Sequence, residues 1–271
     1  MRAIVVFSLR DLVRGRWALV AIAAFALAAL TVSVLGLSSY RQVGLRSVGP
    51  AAVSFVNVAL LLPSLQALLL GALTVSANRE RGLLGMLRAA GASSFSLCAG
   101  TWAAVTLSTA ISLGLGFGTA ALVFAGNVPA EDLAVFGALA LVMLFAAASA
   151  SAIGVLLGAL AGTRLQAALV AVATWFVLAV GLDLLVIGLG VFLRAGEPAL
   201  LAAAVANPLQ AARLAALLLL DAGATMLGPL GSYLVGRIGA AGSIGLFAAV
   251  LATWTAVPLG LGIRALRGRD L

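Results

Sequence analysis

The sequence predicts an all-α polytopic membrane protein of about six transmembrane helices, and three observations predict it. Of 271 residues, 64% are hydrophobic and only 9% are charged, where a soluble domain carries roughly a quarter charged. The mean hydropathy is +1.23. Apolar runs recur along the whole chain at the length of about 18 residues or more that marks a membrane-crossing helix. A soluble bundle of this composition would have almost no solvated face. Each run is a helix because open strands and irregular backbone cannot present unpaired amides to lipid.

Taken in order, the elements begin with residues 1–16. Val5, Val6, Leu9, Leu12 and Val13 follow one helical face, and Arg10, Asp11 and Arg14 take the other. This spacing predicts a short basic amphipathic helix in the membrane interface. It also resembles the charged start of a signal peptide. The following apolar run, Trp17–Leu37, is long enough to cross, and no clear small-x-small site ends it. Further spans are predicted at Ala51–Ala77, Phe95–Ala125, Leu133–Ala161, Leu165–Leu193 and Gly242–Ile263. Pro63 and Pro258 lie inside two of them and are expected to kink them. The segment 194–241 is apolar only in short stretches, and spanning it twice would place Arg213 and Asp221 in lipid. It is expected to form outer-face helices that lie on the bilayer or dip partly into it, with a turn at Gly228, Pro229 and Gly231. No internal repeat is evident, so residues 1–271 read as one membrane domain.

The net charge of +8 comes entirely from arginine on the basic side, since the 16 basic residues include no Lys. The arginines sit between apolar runs, not in a stripe with aromatics, which argues for bilayer contact and against nucleic acid. With both termini inside, eleven fall on the cytoplasmic side: Arg2, Arg10, Arg14, Arg16, Arg79, Arg81, Arg88, Arg164, Arg264, Arg267 and Arg269. Arg41, Arg46, Arg194, Arg213 and Arg237 fall outside. The positive-inside rule then predicts a multi-pass protein of the cell inner (plasma) membrane with cytoplasmic termini.

Absences narrow the chemistry. Without Lys there is no P-loop to cradle ATP phosphates, and without His there is no Ser-His or Cys-His relay and no imidazole metal ligand. Cys98 is the single cysteine and reads as a small apolar filler. The chain is therefore expected to be a non-catalytic subunit that binds no cofactor or metal itself.

Four constellations stand out. The loop at 78–94 pairs a charged start (Arg79, Glu80, Arg81, Gly82) with an apolar comb (Leu83, Leu84, Leu87) and Arg88. That pattern suits a short helix parallel to the membrane, either a docking knob for a cytoplasmic partner or an ordinary basic turn. Asp183 lies deep in an apolar run, where an acid is by default a pairing or functional group; Arg194 and Arg213 are its candidate partners. Gly154, Gly158 and Gly162 form a small-residue ridge, with Gly114, Gly116 and Gly118 clustered in the third span. Such ridges pack helices within a chain or across a homodimer seam. Asn57, Ser64 and Gln66 are polar groups in the second span that must face other helices or a pathway. The first two share one face and Gln66 points elsewhere.

In order and spacing, several segments resemble the ABC-2 type permeases, and most closely the membrane subunits of ATP-binding-cassette (ABC) transporters that support nitrous-oxide-reductase maturation. They are Arg10–Leu19, Gln42–Val48, Leu61–Leu70, Glu80–Leu87, Trp175–Val186 and Asn207–Leu214. The resemblance implies a homodimer seated on a cytoplasmic ABC ATPase dimer that holds the ATP and Mg. It implies that the N-terminal helix and a coupling helix starting at Glu80, Arg81 and Gly82 contact the ATPases. It also implies outer-face helices, carrying Asn207, Pro208 and Arg213, and a periplasmic or extracellular partner protein in copper–sulfur site maturation. The chain departs from the pattern at Leu83, where relatives usually carry Thr, and lacks the expected Pro in Ala89–Ala92. Met86, Met143 and Met226 are scattered, so passage of copper through this chain has no support. Lipid, peptide, drug or a sulfur species are alternative cargoes. A different class, an ion-coupled secondary transporter using Asp183, is opposed by the lack of inverted repeats.

Overall fold

The computed structural model describes residues 16–43, 48–124, 130–181, 196–221 and 227–268, with single positions at 5, 9, 184 and 188. Among them every regular element is a helix. The order is α1 (Arg16–Val43), α2 (Val48–Glu80), a short α3 (Leu83–Ala89), α4 (Ser94–Phe124), α5 (Ala130–Leu160) and α6 (Arg164–Phe176). A π-helical turn, Val177–Gly181, continues α6. Then come α7 (Glu197–Val205), α8 (Pro208–Leu220) and α9 (Gly228–Arg267).

The chain is an all-α polytopic membrane protein. Five helices, α2, α4, α5, α6 and α9, are long and apolar enough to cross a bilayer, and α1 carries a shorter apolar stretch, Leu19–Leu35. Their exposed surface is as apolar as their interior: Leu122 is 77% exposed, Leu165 70% and Leu169 63%. In water such a surface would drive aggregation; against acyl chains it costs nothing. Several hydroxyl groups of α4 and α5 point the other way. Ser108, Thr109, Ser112, Ser149 and Ser151 are all fully buried.

The bundle is organised around α2. A Cβ on Gly154 would lie 2.2 Å from the Leu68 carbonyl oxygen, and one on Gly158 2.5 Å from that of Ala72. From the other side, a Cβ on Gly71 would lie 2.9 Å from the Ser151 oxygen. Glycine is required here because the α2 and α5 backbones touch. This decides the use of the ridge: Gly154 and Gly158 are covered by α2 and are not a seam between copies. Gly162 lies beyond the end of α5. In α4, Gly116 packs on the Phe25 ring of α1, while Gly114 and Gly118 face open space. At the opposite end of the bundle, Phe55, Phe117 and Phe136 join α2, α4 and α5, with ring centroids 4.9–5.0 Å apart.

Helices α7 and α8 are bent by 114° about Ala206 and Asn207. This bent pair lies between α6 and α9 as a broken span or a re-entrant hairpin. Eight residues of α8 are buried. The apex lies deep: Asn207 bonds a carbonyl 14 residues along α6, about 21 Å from its start at 1.5 Å per residue. The outer-face segment expected at 194–241 is therefore divided. Residues 228–241 belong to α9, whose helix starts 14 residues before the expected Gly242. Of the glycines expected to make a turn, Gly228 takes the left-handed conformation (φ 58°) at the start of α9, whereas Gly231 is held helical in an apolar setting, where an unpaired amide is costly. The break within α9 falls at Gly239 (φ 72°, ψ 169°) and not at Pro258.

Replacing Gly154 or Gly158 by Ala is expected to cost about 2 kcal/mol or more through overpacking, whereas Gly114→Ala should be neutral or slightly stabilising. Thermal unfolding in detergent checks the contrast, and equal effects at both sites would contradict the α2–α5 contact.

Candidate functional site

The site at the arginine-rich end is built on α3. Gly82 (φ 69°) and Gly91 (φ 86°) bracket this seven-residue helix in the left-handed region, a conformation that costs other residues about 1 kcal/mol or more. The chain therefore turns sharply on both sides of α3 and lays it across the helix ends. Its inner side is apolar. Leu84 is buried in a cluster with Val75, Leu97, Cys98, Val155, Ala159 and Leu266, and Leu87 packs against it. The outer side carries Gly82, Met86, Ala89 and Ala90, all exposed, with exposed Arg81 preceding them. Met86 is 70% exposed.

Three charged groups fasten this region to the bundle. The Arg79 guanidinium donates to the Ala159 carbonyl at 2.7 Å and also to the Ala161 carbonyl. Glu80 Oε1 accepts from the Arg164 amide, the first of α6, at 2.6 Å. Arg88 donates to the Leu266 carbonyl at 2.6 Å and to Ser94 Oγ at 2.9 Å. Cations thus sit on the C-terminal carbonyls of α5 and α9, and a carboxylate sits on the N-terminal amide of α6. Each charge has the sign that complements its helix dipole. Thr163 and Gln166 complete the α6 start: Thr163 Oγ accepts from the Gln166 amide, and Gln166 Oε1 accepts from the Gly162 amide.

The expected coupling residues therefore divide in two. Arg79, Glu80, Leu84, Leu87 and Arg88 face or bond the bundle, whereas Arg81, Gly82 and Met86 face outward; Leu83 is half-buried. Met86 and Ala89 were absent from the sequence-based set. Their spacing from Gly82, four and seven residues, is the helical-face signal that marks them.

Deeper in the bundle, Ser64 and Gln66 face different helices. Ser64 accepts from Trp175 Nε1 of α6 at 3.3 Å. Gln66 donates to Ser112 Oγ of α4 at 2.9 Å. Gln66 Oε1 and Ser108 Oγ are buried without a hydrogen-bond partner. Asn57 is half-buried. At the hairpin, Asn207 Oδ1 caps α8 at the Leu209 amide, and its Nδ2 donates to the Leu178 carbonyl in the π-helical turn. Trp254 of α9 donates to the Val205 carbonyl at 3.0 Å. Pro208 is buried at the first turn of α8, and Arg213 bonds Gln210. The two tryptophans were missed in the sequence, since a buried indole and a surface-belt indole look alike there.

Of the N-terminal segment, Val5 and Leu9 pack against Leu70, Ala104 and Val105. Arg10, Asp11, Arg14 and Asp183 lie outside the described residues. Among those described, no group of three or more His, Cys, Asp or Glu is placed to hold a metal ion. No family model and no curated protein matches the chain.

Arg79→Ala and Arg88→Ala should each lower stability by about 1.5–3 kcal/mol, the range for hydrogen bonds from charged groups, while Met86→Ala on the exposed face should change it by less than about 0.5 kcal/mol. Denaturation in detergent measures all three. In the same assay Ser112→Ala should destabilise by about 1 kcal/mol by orphaning Gln66, and Ser108→Ala should be neutral or stabilising.

Proposed function

We propose that this chain is the membrane-spanning permease subunit of an ABC transporter of the ABC-2 type. The observation that carries the reading is α3: a short helix set by two left-handed glycines, tied to the end of α9 by its own Arg88 and preceded by Arg79 and Glu80 of α2, which hold the ends of α5 and α6, with its other face exposed. A partner pressing on Met86 and Ala89 would move several helices at once. The segment resemblance at Glu80–Leu87 supports the same role.

On this reading α1, α2, α4, α5, α6 and α9 make six crossings, and the arginine-rich end faces the cytoplasm of the inner (plasma) membrane. Two copies sit on a dimer of separate ATPase subunits, which bind ATP and Mg. This chain makes and breaks no bonds; it converts ATPase closure into helix movement. The work is either export of a lipid, peptide, drug or sulfur species, or conformational work on an outer-face protein, as in copper–sulfur site maturation.

The chain should copurify with a P-loop ATPase, and Met86→Glu with Ala89→Glu should abolish that association while leaving the melting temperature unchanged. A stable, active assembly lacking any ATPase would overturn the reading. Association unaffected by the double substitution would remove the exposed face of α3 as the dock. Solute flux in reconstituted vesicles then separates export from work on a partner.

A further inference from the structure

Two helices are each held at two points, and the partners farther from α3 lie side by side. Helix α6 is held at its first amide by Glu80. Fourteen residues on, about 21 Å away, its Leu178 carbonyl is held by Asn207 at 2.7 Å. Helix α9 is held at the Leu266 carbonyl by Arg88 of α3. Twelve residues earlier, about 18 Å away, its Trp254 indole holds the Val205 carbonyl at 3.0 Å. Val205 and Asn207 flank the apex of the α7–α8 hairpin. The two paths that leave the ends of α3 thus meet on one short turn in the middle of the bundle.

The chemistry at that turn is more than capping. Asn207 is 1% exposed and uses both halves of its amide, Oδ1 for the α8 cap and Nδ2 for Leu178. Ser or Asp would cap α8 equally well, but Asp has no donor and the single short hydroxyl of Ser has no second atom to place where Nδ2 meets Leu178. The Leu178 carbonyl lies inside the π-helical turn Val177–Gly181, and such turns mark places where helix winding changes. On α9 the break at Gly239 lies fifteen residues before Trp254. Each helix can therefore move as a rod along the stretch that carries its bonds, with the π-helical turn and Gly239 as the places that give way.

We propose that Asn207 and Trp254 are positioning residues that relay movement of α3, through α6 and α9, to the re-entrant hairpin on the opposite side. The inference rests on the coupling role proposed for α3, and it supplies the link from that helix to the far face. The bonds are the coupling elements and the hairpin is the body that responds.

The test uses the full chain in lipid nanodiscs without any ATPase, reading amide hydrogen exchange over residues 197–220. Glu80→Ala and Arg88→Ala each release one rod at the α3 end. Each should raise hairpin exchange roughly threefold to tenfold, the effect expected for loss of one hydrogen bond. Asn207→Ser keeps the α8 cap, and Trp254→Phe keeps the ring. In the Asn207→Ser background Glu80→Ala should no longer change the hairpin, and in the Trp254→Phe background Arg88→Ala should no longer change it. Exchange at residues 83–89 should still respond in both. No response of the hairpin to the α3-end variants would overturn the relay, as would simple additivity in the double variants, which is what a purely structural role gives. Should Asn207→Ser fail to fold, the Trp254→Phe arm decides alone. Loss of this linkage with ATPase copurification intact sinks the relay only; loss of ATPase association with the linkage intact sinks the permease reading only.

Discussion

The backbone contact between α2 and α5 governs where everything else lies. In lipid the sides of helices gain nothing by leaving water, so association depends on close van der Waals approach and on polar bonds between helices. Gly71, Gly154 and Gly158 let the two backbones touch, and α2 then occupies the centre of the bundle. Once α2 is fixed at that depth beside α5, its last two residues arrive at the junction of α5 with α6. Arg79 meets the carbonyls that end one helix and Glu80 meets the amide that starts the next. The charged pair at the end of α2 thus depends on a glycine contact several turns away.

Two kinds of bond then hold the helices, sorted by depth. At the arginine-rich end they are charge-assisted, where water and headgroups keep ions affordable and helix ends expose unpaired groups. Near mid-depth they are neutral: the indoles of Trp175 and Trp254, the amides of Gln66 and Asn207, and serine hydroxyls. An ion there would carry a large desolvation cost, whereas a neutral donor aimed at a carbonyl does not. The same separation leaves the charged bonds around α3 at an aqueous edge, open to displacement, whereas the indole bonds are shielded.

How much of this was legible in the sequence follows from what imposes each feature. The bilayer imposes long apolar helices, so the spans of α2, α4 and α5 could be placed within a few residues from hydropathy alone. The glycine ridge was legible as a ridge, but its partner was not, because a small-residue face is identical whether α2 or a second copy covers it. Helix α9 was truncated because Gly228, Pro229 and Gly231 read as a turn under rules learned in water. Around α3 the residue types were found but their direction was not. A charged residue in a loop is expected to face solvent, and only tertiary structure shows Arg79 and Arg88 folding back onto carbonyls 80 and 178 positions away. Asn207 before Pro208 is a legible helix start; the partner of its amide nitrogen, 29 positions earlier, leaves no local trace.

The all-arginine basic set acquires a second meaning from these geometries. The lack of Lys excludes a P-loop, yet the positions that hold the bundle also favour Arg on their own terms. Arg79 reaches the carbonyls of both Ala159 and Ala161, and Arg88 reaches a carbonyl and a hydroxyl from one guanidinium nitrogen. A planar fork with five donors serves two acceptors at once and stays charged beside low-dielectric surroundings, while an ammonium is a strongly hydrated point charge that gives up its proton on burial. At a helix end that leaves several carbonyls unpaired, Lys would satisfy fewer of them and would be less certain to keep its charge. The all-arginine composition that leaves this chain without a P-loop lysine is therefore the same one that suits it to tying helix ends together at a membrane edge.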